Sequence, residues 1–114
     1  MKGIYVKIHA EDRFRFSIYP RNLHNDPLAT SVKSYISESA CRQAMESFVQ
    51  YVIGNNLCEE DGQRVKIFMK NDEYSFQFFD EQGKCLVTAA KTYYKKANCR
   101  GAIRRVYLSI KADV

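Results

Sequence analysis

The feature that most constrains this chain is an apolar pattern that occurs twice. Placing Ser37 to Ile53 over Lys95 to Lys111, 58 positions further on, brings Cys41, Ala44, Met45, Phe48, Val49 and Val52 onto Cys99, Ala102, Ile103, Val106, Tyr107 and Ile110. Both sets follow the i, i+3, i+4, i+7, i+8, i+11 spacing of a helix with one buried face. The spacing therefore predicts an amphipathic helix at the end of each half. Gly54 closes the first run and suits a left-handed helix end. Ser37 is a good N-cap for the first helix. Its counterpart Lys95 is a poor one and sets positive charge at the positive end of the dipole.

Upstream of each helix the period falls to two. Phe14, Phe16 and Ile18 alternate with Arg13, Arg15 and Ser17, and Tyr74, Phe76 and Phe78 alternate with Glu73, Ser75 and Gln77. Each set predicts a strand with one apolar and one polar face. Shorter strands are expected before them, Ile4 to Ile8 and Val65 to Phe68, joined by the polar turns Glu11-Asp12 and Asn71-Asp72. A third strand follows in each half, Leu28 to Val32 and Leu86 to Ala90. The first is reached through the irregular Pro20 to Pro27 loop and the second through the Asp80-Glu81-Gln82-Gly83 turn.

A three-stranded meander with one helix buries a single sheet face, and a piece of about 50 residues is marginal on surface-to-volume grounds. Two such units in one chain of 114 residues make one domain the natural outcome. The expected fold is α+β: a two-layer sandwich in which two tandem βββα repeats, 1–54 and 63–114 with a polar linker at 55–62, form one antiparallel sheet carrying both helices on one face.

The string Asp72-Glu73-Tyr74-Ser75-Phe76-Gln77-Phe78, followed by Gly83-Lys84, Tyr93 and Lys96-Ala97-Asn98-Cys99-Arg100-Gly101-Ala102-Ile103, resembles the repeat of the YegP-like family of small bacterial proteins. The first half shares less of it. It keeps Phe14, Phe16, Ala29-Thr30-Ser31, Tyr35, Ser37, Ala40-Cys41 and Met45, but has Gln43 and Ala44 where a nearby glycine is expected, together with the longer Pro20 to Pro27 loop. The resemblance implies two three-strand-plus-helix motifs sharing one sheet, with the helices exchanged between motifs and both halves supplied by one chain. The family brings no established catalytic residues, so the resemblance bears on the fold and leaves the function open.

The inventory of reactive groups points away from catalysis. Cys41 and Cys99 lie on the apolar stripes, where a thiol acts as a small hydrophobe, and Cys58 and Cys85 are isolated. Without a secretory signal the four cysteines do not read as a disulfide framework. His9 and His24 have no neighbouring nucleophile, and no CxxC, HxxxH or phosphate-loop spacing occurs, so neither metal nor cofactor is expected. Glu59-Glu60-Asp61 reads as a solvated acidic linker. No apolar stretch approaches the ~20 residues of a membrane span, and Lys7 interrupts any signal-peptide core, which predicts a cytoplasmic protein with no membrane partner.

One surface stands out. From Lys91 to Lys111 there are seven basic residues, Lys91, Lys95, Lys96, Arg100, Arg104, Arg105 and Lys111, and no acidic one. Lys96, Arg100 and Arg104 share a helix face, where like charges repel. With Tyr93 and Tyr94 as stacking groups, this stretch is a candidate nucleic-acid surface, unless the acidic linker answers its charge. The leading expectation is a non-enzymatic protein that binds another protein, or itself, through a sheet edge or the sheet face away from the helices. There Tyr19 and Phe79 share the phase of the polar positions.

Overall fold

A computed structural model describes residues 6–10, 12–21 and 26–114. The start of the first expected strand (Ile4, Tyr5), Glu11 of the first turn, and His24 with the centre of the Pro20 to Pro27 loop lie outside the described residues. The elements run β1 (Val6–Ala10), β2 (Phe14–Ile18), β3 (Ala29–Ser31), α1 (Glu38–Gly54), β4 (Val65–Lys70), β5 (Glu73–Phe79), β6 (Cys85–Ala89) and α2 (Lys96–Asp113). The six strands form one antiparallel sheet in the order β1-β2-β3-β6-β5-β4. The halves therefore meet at its centre. There β3 pairs with β6 through Ala29↔Ala89, Thr30↔Thr88 and Ser31↔Val87. Bonds from Val32 N–H to the Leu86 carbonyl (3.1 Å) and from Ala90 N–H to the Leu28 carbonyl (3.0 Å) extend the junction at both ends.

Local chemistry accounts for the turns. Lys70 pairs with Glu73 across Asn71 (φ 53°) and Asp72 (φ 65°), the two left-handed residues of a type I′ hairpin, whose twist matches that of the strands. Ser37 caps α1 by accepting a bond from Ala40 N–H at 3.1 Å. The left-handed end expected at Gly54 falls instead on Asn56 (φ 56°). Gly54 stays in the helix, because the closure that forms is a Schellman turn. Leu57 N–H reaches the Val52 carbonyl (3.0 Å) and Asn56 N–H the Ile53 carbonyl (3.2 Å), while Leu57 and Val52 are both buried. Asparagine tolerates the left-handed region, and the apolar partner one residue on decides the register. Lys95 precedes α2 with no side-chain cap.

After α1 the chain is re-aimed into β4 by Asp61, whose Oδ1 accepts from the backbone N–H groups of Gln63, Arg64 and Val65 at 2.9, 2.7 and 2.9 Å. Partial burial by itself would raise this carboxyl's pKa. The three amides and the Arg64 charge outweigh it and hold the group below its ordinary value. A depressed folded-state pKa contributes stability that is present above the unfolded value, about 4, and is lost as pH falls through the folded one. Asp61→Ala is therefore expected to lower stability at pH 7, and its deficit relative to the parent should shrink below about pH 4. Urea titrations of both proteins across that range check this.

Both stripes pack onto the same side of the sheet. Cys41, Met45, Phe48, Val49 and Val52 of α1 and Cys99, Ala102, Ile103, Val106 and Ile110 of α2 join Val6, Phe16, Ile18, Ala29, Val65, Phe76, Phe78 and Val87 in one core. The Phe48 ring lies 5.8 Å from Phe16 on β2 and 5.5 Å from Phe78 on β5, so it touches both halves of the sheet. Contacts also cross between the halves at the helix ends. The Tyr51 hydroxyl donates to the Phe79 carbonyl (2.8 Å), and Asp113 Oδ2 accepts from Val6 N–H (2.9 Å).

Candidate functional site

With both helices on one side, the strand residues of opposite phase form the second face. The registers Lys7↔Ser17, Ser17↔Thr30, Thr30↔Thr88, Thr88↔Gln77 and Gln77↔Lys66 trace one row across all six strands. Its centre is neutral and hydrogen-bonding, and its two ends are lysines. The Ser17 hydroxyl donates to Thr30 Oγ1 (3.2 Å), which donates in turn to the Phe16 carbonyl (3.2 Å). At one end Lys7 Nζ stands 5.2 Å over the Tyr19 ring, and at the other Lys66 Nζ stands 5.0 Å over the Phe79 ring. The two aromatics therefore do share the polar phase, but half-buried under lysine stems rather than as a bare patch.

The sheet has two edges, β1 and β4. The Val6 N–H at the β1 edge is taken by Asp113. The β4 edge, Val65–Lys70, carries an exposed Met69 between partly buried Phe68 and exposed Lys70; with Lys66, Lys70 places charge along it, a common device against unwanted strand pairing.

On α2 the structure separates the expected basic residues. Lys95, Lys96, Arg100, Arg104 and Arg105 are all exposed, as is Lys91. Arg100 is answered by the linker, its Nε lying 3.0 Å from Glu60 Oε1. Lys91 lies 5.5 Å over the Tyr93 ring, and Lys111 lies 5.9 Å over Tyr107. Lys95, Lys96, Arg104 and Arg105 make no ion pair among the described residues. Tyr94 is 84% exposed and available for stacking, but Tyr93, expected beside it, is not. Paired backbone bonds between Tyr93 and Tyr74 (2.7 and 2.8 Å) fix Tyr93 against β5 and place its ring in the core, where its hydroxyl finds no partner among the described residues and burial pushes its pKa up.

The thiols are arranged for packing. Cys41 and Cys99 are fully buried, and burial, with the Glu60 charge adding to it, pushes the Cys99 thiol up to about 11 against the opposing pull of Lys96. Cys58 and Cys85 are partly exposed. A thiol-specific reagent at neutral pH is therefore expected to label Cys58 and Cys85 in the native protein and all four only after denaturation. Rapid native labelling of Cys99 would contradict this. Among the described residues no three His, Cys, Asp or Glu side chains come together as a metal site, and no helix is long and apolar enough to cross a membrane.

An open six-stranded antiparallel sheet, backed by two helices and bearing a polar row across its free face, defines a small α+β module whose distinctive surfaces are that face and the outer side of α2. No family model and no curated protein sequence matches the chain. A solved structure does: the solution NMR structure of YegP from E. coli, a protein of unknown function, is similar over 93% of this chain and 84% of that one, with a TM-score of 0.69 at 14% identity. The chain thus has a YegP-like fold.

Proposed function

We propose that the protein is a non-catalytic binding module that presents the free face of its sheet to another protein. The observation that supports this reading is the row Lys7, Ser17, Thr30, Thr88, Gln77 and Lys66, which has an uncharged, hydrogen-bonding middle and cationic ends. An interface depleted of charge at its centre and charged at its rim has the same arrangement. Thr88 makes no side-chain hydrogen bond among the described residues and is only partly buried, so Thr88→Glu should fold normally while burying a charge in any partner's interface. Affinity capture with this variant should lose the proteins that the parent retains, whereas Lys96→Glu with Arg104→Glu should keep them. Retention of the same proteins by Thr88→Glu would overturn the reading.

A second reading, weak nucleic-acid binding through α2, is favoured by one observation: Lys95, Lys96, Arg104 and Arg105 have no acidic partner among the described residues. It predicts affinity for single-stranded nucleic acid that falls steeply with salt and disappears in the Lys96→Glu, Arg100→Glu, Arg104→Glu variant, whose fold should persist because all three side chains are exposed. Absence of binding at low salt would remove this reading.

A further inference from the structure

We infer that a cleft at the β1–β2–β3 end of the free sheet face is a site for a small phosphorylated, hydroxyl-bearing molecule. The inference goes beyond the reading above and does not rest on it: the cleft shares Ser17 and Thr30 with the row, so a ligand there and a protein partner on the face exclude one another at this end. The cleft has a volume of about 450 Å³ and is lined by His9, Asp12, Arg13, Arg15, Ser17 and Thr30, with Ser34 at its margin. That volume lies in the range of small-molecule pockets, with room for an organic group beside a phosphate.

The chemistry of the lining divides into donors and acceptors. Arg13 is held by a bond from Nη2 to the Ser34 carbonyl (3.1 Å), which fixes its guanidinium, and its other N–H groups make no hydrogen bond or ion pair among the described residues. Arg15 has no ion pair among the described residues, and it stands directly across from His9 in the β1–β2 register. The His9 ring is held in turn by a 2.8 Å bond between Nε2 and the Tyr19 hydroxyl. Two guanidiniums and an imidazole converging on one cleft favour a phosphate, which arginine recognises with paired bonds. The Ser17 and Thr30 protons are already committed to Thr30 Oγ1 and the Phe16 carbonyl, so their oxygens, like the Asp12 carboxylate, remain as acceptors for ligand hydroxyls.

The other half of the sheet supplies an internal control. The bridges Phe14↔Tyr35 and Tyr74↔Tyr93 place Arg13 and Glu73 in corresponding positions, and the pairs His9↔Arg15 and Phe68↔Ser75 correspond likewise. The same backbone arrangement is thus built with Phe68, Glu73 and Ser75, and there Glu73 accepts from the Thr92 hydroxyl (2.7 Å) where Arg13 donates to Ser34. The sheet does not require cations at these places, so their gathering in one half calls for a ligand.

The test is an NMR titration of the whole chain with ribose 5-phosphate, with inorganic phosphate and ribose as separate arms. Saturable amide shifts are expected at Arg13, Arg15, Ser17 and Thr30 and not at Glu73, Ser75, Gln77 and Thr88. Arg15→Gln, an exposed substitution whose melting should match the parent, is expected to weaken ribose 5-phosphate at least about tenfold. Asp12→Asn should weaken ribose 5-phosphate but leave inorganic phosphate unchanged. Shifts of equal size in both halves, shifts confined to α2, an unaltered affinity in Arg15→Gln, or no saturable shift would each overturn the assignment. Because Thr88 lies in the control half, loss of this site and loss of the partner-binding face are read separately.

Discussion

Phe48→Ala is expected to destabilise the native state by about 3–5 kcal/mol, the range for removing a large aromatic from a well-packed core. Total stability for a domain of this kind is about 5–15 kcal/mol, so much of it depends on one side chain. The reason lies in where the ring sits. It is 2% exposed and makes a tilted contact with Phe16 and an edge contact with Phe78, and through Phe78 it reaches Phe76, 5.9 Å further on. Truncation removes apolar area from water-free packing against both halves and leaves a cavity the sheet cannot close, since the strands beneath are fixed by their registers. A urea titration should show one transition with a lower midpoint and an unchanged slope. A loss below about 1 kcal/mol, or two transitions, would mean that the halves do not share a core.

Asp113→Ala is expected to cost about 1–3 kcal/mol through a different mechanism, the stranding of a buried donor. The side chain is 0% exposed at the last turn of α2, and its Oδ2 receives the Val6 N–H at 2.9 Å. Without it that buried amide at the sheet edge loses its acceptor, and one tie between the end of the second helix and the first strand is removed. Amide hydrogen exchange distinguishes this from general loosening. Val6 should exchange much faster in the variant, while amides at the β3–β6 junction change only in proportion to global stability. Unaltered exchange at Val6 would show that the bond does not hold the edge.

Much of this arrangement is legible in the sequence because burial imposes period. The six positions of each stripe face the core, entirely or in part, and Phe14, Phe16 and Ile18 alternate as their strand requires. The first two strands of the second half lie close to where the alternation places them, with ends shifted by one or two residues. What escaped the sequence depends on contacts between residues far apart. Nothing local reveals that β3 meets β6, since Ala29 and Ala89 are brought together only when both helices share one side. Tyr93 reads as a surface aromatic because it lies in a run of polar residues, and only its bridge to Tyr74 carries it inside. Asp113, an acid, carries no sign of burial in its own chemistry, although its position three residues after Ile110 continues the buried stripe. Of the candidate surfaces, the charge run on α2 is visible directly in the sequence, but its partial neutralisation by Glu60 falls on Arg100 only because the fold lays the linker beside the helix. The cleft around His9, Arg13 and Arg15 needed the register of β1 against β2, because only pairing puts His9 opposite Arg15.

The central claim, that the free face of the sheet is where this protein meets its partner, is tested most directly by photocrosslinking in cells. A photoreactive amino acid is placed in turn at Thr88 on that face, at Gln43 on the exposed side of α1, and at Arg104 on α2. The account predicts discrete protein adducts from Thr88 and none from Gln43 or Arg104. Adducts arising only from Gln43 or Arg104, or from Arg104 to nucleic acid with none from Thr88, would contradict it.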